Sequence, residues 1–259
     1  MDLSIIIVSW NTQDLLKKCL DSIYRYQAGL SLEILVVDNN SIDGTVAMIK
    51  DEYLQVKLIA NNKNLGFARA NNQAIKLATG EYILLLNPDT EILPNSLETT
   101  VKFMADHPHC GALGARLLNH DQTLQPSVRN FPTFWPIFLM LIKAPKIFKH
   151  LKPIEHYLKT DFNYNKLQPV DQIMGAFMLI PKKVFSDIGL LDERFFIWFE
   201  EVDLCQRIKK SGQQVIYNPA VAVIHHGGSS FRQTAVVKKQ WLFFISALKY
   251  FLKYGFFNH

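Results

Sequence analysis

The sequence predicts an α/β protein with a mostly parallel sheet and flanking helices. Three observations support this. Through residues 1–90, short β-branched or aliphatic runs alternate with stretches of helical periodicity. Each run is continuously apolar, as a strand buried on both faces must be. Each also stops on a polar, turn-forming segment. In such sheets ligands bind at the carboxyl ends of the strands, so these segments are the places to look for chemistry.

The first strand is SIIIV (4–8), followed by a helix from about residue 12. Leu15, Leu16, Cys19, Leu20 and Ile23 recur there at helical spacing, with Asn11 or Thr12 placed to cap it. EILVV (33–37) precedes a helix from about 43, VKLIA (56–60) one from about 67, and YILLL (82–86) closes the series. Later, GAFMLIPKKVF (175–185) reads as a strand and then a short helix after Pro181. WFEEVDLCQRIKKSG (198–212) reads as an amphipathic helix stopping at Gly212, and QVIYNPAVAVIHHGG (214–228) as strand ending on two histidines.

Composition narrows the class. A chain of 259 residues can bury a large core without staples. Cys19, Cys110 and Cys205 are odd in number and lack metal spacing, which fits a reducing, cytoplasmic setting. MDLSIIIVSW opens with an acid and a short apolar run, unlike an export signal. FWPIFLMLI (134–142) and WLFFISALKYFL (241–252) fall short of the roughly 20 residues that span a bilayer, so the chain is expected to be soluble or peripheral.

The net charge of +5 is uneven. Segments 129–160 and 231–259 each carry +5, so the rest of the chain is acidic. The two basic segments are also strongly aromatic, a composition suited to a membrane interface. Packing on the domain, or on a second subunit in a homodimer, would cover them equally well. Pro132, Pro136, Pro145 and Pro153 mark the first as an irregular insertion within 126–170. Residues 1–230 then form the α/β domain, with 231–259 as a basic amphipathic helical tail. No nucleic-acid partner is expected.

No G-x-G-x-x-G follows the first strand and no Walker-type loop appears, which removes the main support for dinucleotide oxidoreductases and phosphate-loop NTPases. The polar strand ends are SWN (9–11), DNNSIDGT (38–45), NNKNLGFARANN (61–72) and NPDT (87–90). Any one could be a local turn; four in succession on one edge point to a cleft.

In order along the chain, SIIIVSWN, VVDNNSIDGT, NLGFARANN, LLLNPDT, GAFMLIPKKVF, WFEEVDLCQRIKKSG and VIHHGGSS resemble the motifs of glycosyltransferase family 2, closest to its rhamnosyltransferase-like branch. The resemblance implies the GT-A fold with a Rossmann-like, nucleotide-sugar-binding N-terminal half (1–90). It further implies a dTDP- or UDP-sugar donor, Mg2+ or Mn2+ on its diphosphate, and inverting transfer to a hydroxyl of a glycan or lipid-linked acceptor. A hard divalent cation takes oxygen ligands, so a carboxylate at a strand end suits it. By resemblance Asp89 and His225 are the metal ligands, with His226 as the alternative histidine. Asn87 stands where the commonest pattern has a first acid, leaving one protein carboxylate there.

Asp38 matches the acid that contacts the nucleoside, although it could instead cap its turn. Asn11, Arg69, Asn72, Asn87 and Asp89 complete the expected nucleotide-sugar set, and Gly175, Trp198 and Glu200 the acceptor set. Glu201 matches the catalytic base, with Asp203 as alternative. Glu200, Asp203 and Arg207 fall on one helical stripe as an ion-pair network, which leaves Glu201 to face the cleft. A sugar-nucleotidyltransferase is the competing enzyme, but SWNTQDLL lacks the glycine-rich basic loop that holds a triphosphate. A non-catalytic carbohydrate-binding or scaffold protein is the third reading.

Overall fold

The structure, a computed structural model, describes residues 1–27, 29–144, 150–227 and 236–256. Its first half alternates β1 (Leu3–Ser9), α1 (Gln13–Arg25), β2 (Leu32–Asp38), α2 (Thr45–Glu52), β3 (Lys57–Ala60), α3 (Phe67–Leu77) and β4 (Tyr82–Leu86). These strands run parallel in the order β3-β2-β1-β4, with Ser9 beside Asp38 and Ile7 beside Leu86. The continuous apolar runs follow from burial on both faces. Leu3, Ile5 and Ile7 of β1 pack with Leu16, Leu20 and Ile23 of α1, whereas Ile6 and Val8 face Ala68, Ala70 and Ala74 of α3.

The second half contains β5 (Thr90–Ile92), α4 (Ser96–Asp106), β6 (Cys110–Leu118), β7 (Leu124–Gln125) and β8 (Val128–Arg129). It continues through α5 (Phe134–Leu141), α6 (Lys152–Leu158), β9 (Gln168–Val170), β10 (Gln172–Ile173), β11 (Phe177–Pro181) and α7 (Lys182–Ile188). It ends with α8 (Glu200–Lys210), β12 (Gln214–His225) and α9 (Val236–Tyr254). The sheet extends from β4 through β11, β6 and β12 to β5. Because β11 is antiparallel to β4, its start lies beside the end of β4. β12 lies parallel to β6, and its last residues pair antiparallel with β5, placing His225 opposite Thr90.

The insertion is more regular than its prolines suggest. Pro136 is the third residue of α5 and Pro153 the second of α6, where a missing N–H breaks no intrahelical bond. Two short helices result. Pro145, Lys146 and Lys149 lie outside the described residues, as do Gly228, Ser229 and Ser230 of the last motif and Arg232 of the tail. A separate core cluster joins α9 to the rest: Ala247, Tyr250 and Phe251 pack with Ile137, Tyr157, Phe195, Phe199 and Val202.

Candidate active site

The carboxyl ends of β1, β2 and β4 open onto one cleft of about 310 Å³. Asn87, Asp89, Gly175, Trp198, Glu200, Glu201 and His225 line it, from residues up to 138 positions apart in sequence. Asp89 sits between β4 and β5. Asn87 N–H donates to Ala176 O (3.1 Å) and His226 N–H donates to Asp89 O (2.9 Å), so β11 and β12 hold this turn from two sides.

The histidine is oriented by a residue that sequence reasoning missed. Gln125 Nε2 donates to Asn119 Oδ1 (3.0 Å) and to His225 O (3.3 Å), which turns Gln125 Oε1 toward His225 Nδ1 at 2.7 Å. A carbonyl oxygen only accepts, so Nδ1 carries the proton, and in the neutral ring Nε2 is a lone pair. That lone pair lies 3.3 Å from Asp89 Oδ1 and 3.4 Å from Asn87 Nδ2. Two electron-pair donors facing each other at this distance suit a shared divalent cation, and a hydrogen bond to the far nitrogen is the usual support of a ligating histidine. His226 turns away: its Nε2 bonds Glu91 Oε1 at 2.7 Å. Among the described residues no group of three His, Cys, Asp or Glu could hold a metal, so a cation here would rely on two side chains and its own ligand's oxygens.

Before α8, Trp198 and Phe199 both adopt left-handed backbone (φ 60° and 69°), which turns the chain sharply into the helix. Consequently the first two residues of the helix, Glu200 and Glu201, both reach the cleft. Their Oε2 atoms are buried and meet no hydrogen-bonding partner among the described residues. Burial and the charge of Glu201 raise the Glu200 carboxyl well above its ordinary range. Burial also raises Glu201, opposed in part by backbone N–H groups at the helix start and by the Arg129 guanidinium. Both carboxyls are thus held above the ordinary carboxylate range, chiefly by burial.

Other expectations are displaced by the fold. Asp203 does not line the cleft. It is fully buried, accepting from Arg207 Nε (2.8 Å) and Tyr254 Oη (2.6 Å) and ion-paired with Lys253 Nζ (2.5 Å). Glu200 is not part of that network, contrary to the helical stripe, because at the first turn it points back to the cleft while α9 supplies the missing partners. Arg69 Nε pairs with Glu193 Oε2 (2.9 Å), and Asn72 bonds Leu191 N and O and Glu193 Oε1, so both brace α3 against the segment after α7. Asn11 accepts from Ile42 N (2.8 Å) and donates from its own N–H to Ser41 Oγ (2.9 Å), stapling the loops after β1 and β2. Neither it nor Thr12 caps α1; Asp43 Oδ2 does so from the next loop, accepting from Gln13 N at 2.9 Å.

Asp38 ends β2 with Oδ2 accepting from Ser41 N (2.9 Å), the turn-capping role. Its Oδ1 is buried and lacks a partner among the described residues. Its neighbour Asn39 lines the cleft, as do Trp10, Asn64 and Phe67, which lie within the quoted motifs without an assigned role, and Ser127, Arg129 and Phe196, which lie outside them. Gly66 at the head of α3 belongs there for a steric reason: φ is +85°, and a Cβ would lie 2.5 Å from Phe196 O.

A central sheet with helices on both faces and a metal-suited cleft at its strand ends is the architecture of GT-A glycosyltransferases. Solved structures of this fold superpose on the chain. The mannosyltransferase PcManGT from Pyrobaculum calidifontis, in complex with GDP-Man and Mn2+, matches with TM-score 0.64 at 19% identity over 95% of this chain and 64% of that one. S. aureus TarS 1-349 in complex with UDP-GlcNAc matches with TM-score 0.61 at 16% identity, over 97% and 67%. Residues 4–189 match the family described as Glycosyl transferase family 2, and the chain belongs to it. It is 28% identical over 223 residues to N-acetylglucosaminyl-diphospho-decaprenol L-rhamnosyltransferase of Mycobacterium tuberculosis, covering 80% of this chain and 72% of the relative. It is 27% identical over 260 residues to rhamnosyltransferase WbbL of Escherichia coli K12, covering 96% and 89%. The protein is thus a glycosyltransferase, which displaces the nucleotidyltransferase and scaffold readings.

Proposed function

We propose that this enzyme transfers a sugar, with inversion, from a nucleotide-sugar donor to a hydroxyl of a glycan or lipid-linked acceptor. The observation that carries the reading is the convergence of Asp89, His225, Glu200 and Glu201 on one cleft. Asp89 and His225 would hold Mg2+ or Mn2+, which when bound neutralises the charge developing on a departing diphosphate. The buried Oδ1 of Asp38, which meets no partner among the described residues, suits a nucleoside hydroxyl or base N–H. Glu201 takes the proton of the acceptor hydroxyl as its oxygen attacks the anomeric carbon. Attack on the face opposite the diphosphate inverts that centre. Glu200, lining the same cleft, can hydrogen-bond the acceptor.

The names of the two relatives favour rhamnose as the sugar, hence dTDP-rhamnose as the donor, and that of the mycobacterial one a polyprenyl-diphosphate-linked acceptor. Such an acceptor would place the enzyme at the cytoplasmic face of a membrane. The test is nucleoside diphosphate release from a panel of dTDP-, UDP- and GDP-sugars with Mg2+ or Mn2+. Release should vanish with EDTA and in Asp89→Asn. Turnover that survives both would refute the metal assignment.

A further inference from the structure

The cleft leaves one large feature of the molecule unused. α9 is apolar on two faces. Its inner face, through Ala247, Tyr250 and Phe251, is covered by the domain. Its outer face carries Val237, Trp241, Phe244, Leu248 and Leu252, spaced by four, three, four and four residues. All five are exposed, Trp241 at 60% and Leu252 at 71%. The stripe follows most of a 19-residue helix, about 28 Å long. α5 packs beside α9 through Phe134 on Phe251 and Phe256, and it exposes Trp135 and Phe138, with Ile142 just beyond its end. Monomeric soluble proteins rarely leave apolar surface on this scale uncovered.

The charges around these stripes select the occupant. Neither residues 130–144 nor 236–256 include an Asp or Glu. Lys143 and Lys238 are exposed and Lys239 half-exposed. A second copy on this face would set lysine against lysine, whereas an anionic headgroup layer meets both the lysines and the tryptophans. No helix among the described residues is long and apolar enough to cross a membrane, so the contact would be along the surface. We propose that the α5–α9 face docks on an anionic lipid bilayer, with α9 lying along the interface.

Docking would also orient the cleft. Ser246 Oγ donates to Ile197 O (2.8 Å) and Lys249 Nζ to Arg194 O (2.6 Å), so α9 grips the segment whose Phe196, Ile197 and Trp198 line the cleft. Membrane contact on one side of α9 thus fixes the wall next to Glu201 on the other. Delivery of a lipid-borne acceptor to that wall rests on the functional reading above; docking itself rests on the surface alone.

The test is co-sedimentation of the full chain, without substrates, with phosphatidylcholine vesicles containing or lacking phosphatidylglycerol. Binding is expected with phosphatidylglycerol and should weaken as salt rises. Trp241→Ser with Leu248→Ser should lower the partition coefficient at least about tenfold. Lys238→Gln with Lys239→Gln should lower it by roughly fivefold per lysine. Both double variants should release nucleoside diphosphate as the wild type does without vesicles, which reports a folded protein. Three results would overturn the proposal: no binding at low ionic strength, stripe variants that bind as well as wild type, or a dimer that the stripe substitutions convert to monomer without any vesicle binding. If the wild type binds vesicles as described but turns over no donor, docking stands and the functional reading fails.

Discussion

Glu201 and Asp203 lie two residues apart on one helix, yet the structure assigns them opposite fates on substitution. Asp203 accepts from Arg207 and Tyr254 and pairs with Lys253, with no exposed surface. In Asp203→Asn an amide nitrogen must face one of these donors, and the half-buried Arg207 and Lys253 each lose a counter-charge. Breaking a buried pair in this way costs about 3–5 kcal/mol. At about 2–4 °C per kcal/mol for a chain of this size, the melting temperature should fall by roughly 10 °C. Among the described residues Glu201→Gln breaks no ion pair: its Oε2 has no partner there, and burial already disfavours its charge. Its stability should stay within about 1 kcal/mol of wild type, because the substitution discards a buried charge rather than a bond. Transfer should nevertheless drop about a hundredfold, the low end of the loss on removing a general base. Urea unfolding of both variants, with nucleoside diphosphate release and donor affinity measured in parallel, separates the two effects. Near-normal turnover in Glu201→Gln, with Asp203→Asn stably folded but inactive, would move the base to Asp203 and refute the geometric argument.

Two further perturbations probe the supports of the site and sheet. Gln125→Leu removes the acceptor that fixes His225 Nδ1–H, so the Mn2+ concentration for half-maximal activity should rise about 10–100-fold with little change in folding; an unchanged metal requirement would show that the Gln125 bond does not support a ligand. Glu33 tests the far end of the sheet. Burial would raise its carboxyl, but donors from Lys57, Ser4 and Thr79 outweigh burial and hold it at about 2, down from 4.5. A lowered folded value means stability that is complete above about pH 4.5 and lost as pH falls toward 2. With allowance for the exposed Lys57, Glu33→Gln should cost about 2 kcal/mol at pH 7, and this gap from wild type should close between pH 4.5 and 2 in urea titrations. A gap that does not depend on pH would contradict the assignment.

The strands and helices of residues 1–90 are legible without the fold, because continuous apolar runs and helical spacing are local signals that burial on both faces imposes directly on the chain. The sequence also marked Asp89, His225, Glu200 and Glu201, since abrupt polar strand ends and an acidic helix start remain visible one element at a time. Tertiary structure decided what each of these faces. Asp89 meets His225 only because β12 folds back on β5, and Gln125 joins them through the short strand β7, a pairing that leaves no periodic trace. Arg129 counted in sequence only as part of a basic segment, yet the β8–β10 pair sets it in the cleft beside Glu201. Helical spacing grouped Glu200 with Asp203, but two left-handed residues before α8 turned Glu200 into the cleft, and α9 replaced it with Lys253 and Tyr254. Periodicity constrains neighbours within one element; which element arrives from elsewhere is fixed by sheet order and helix packing, and those are properties of the whole chain.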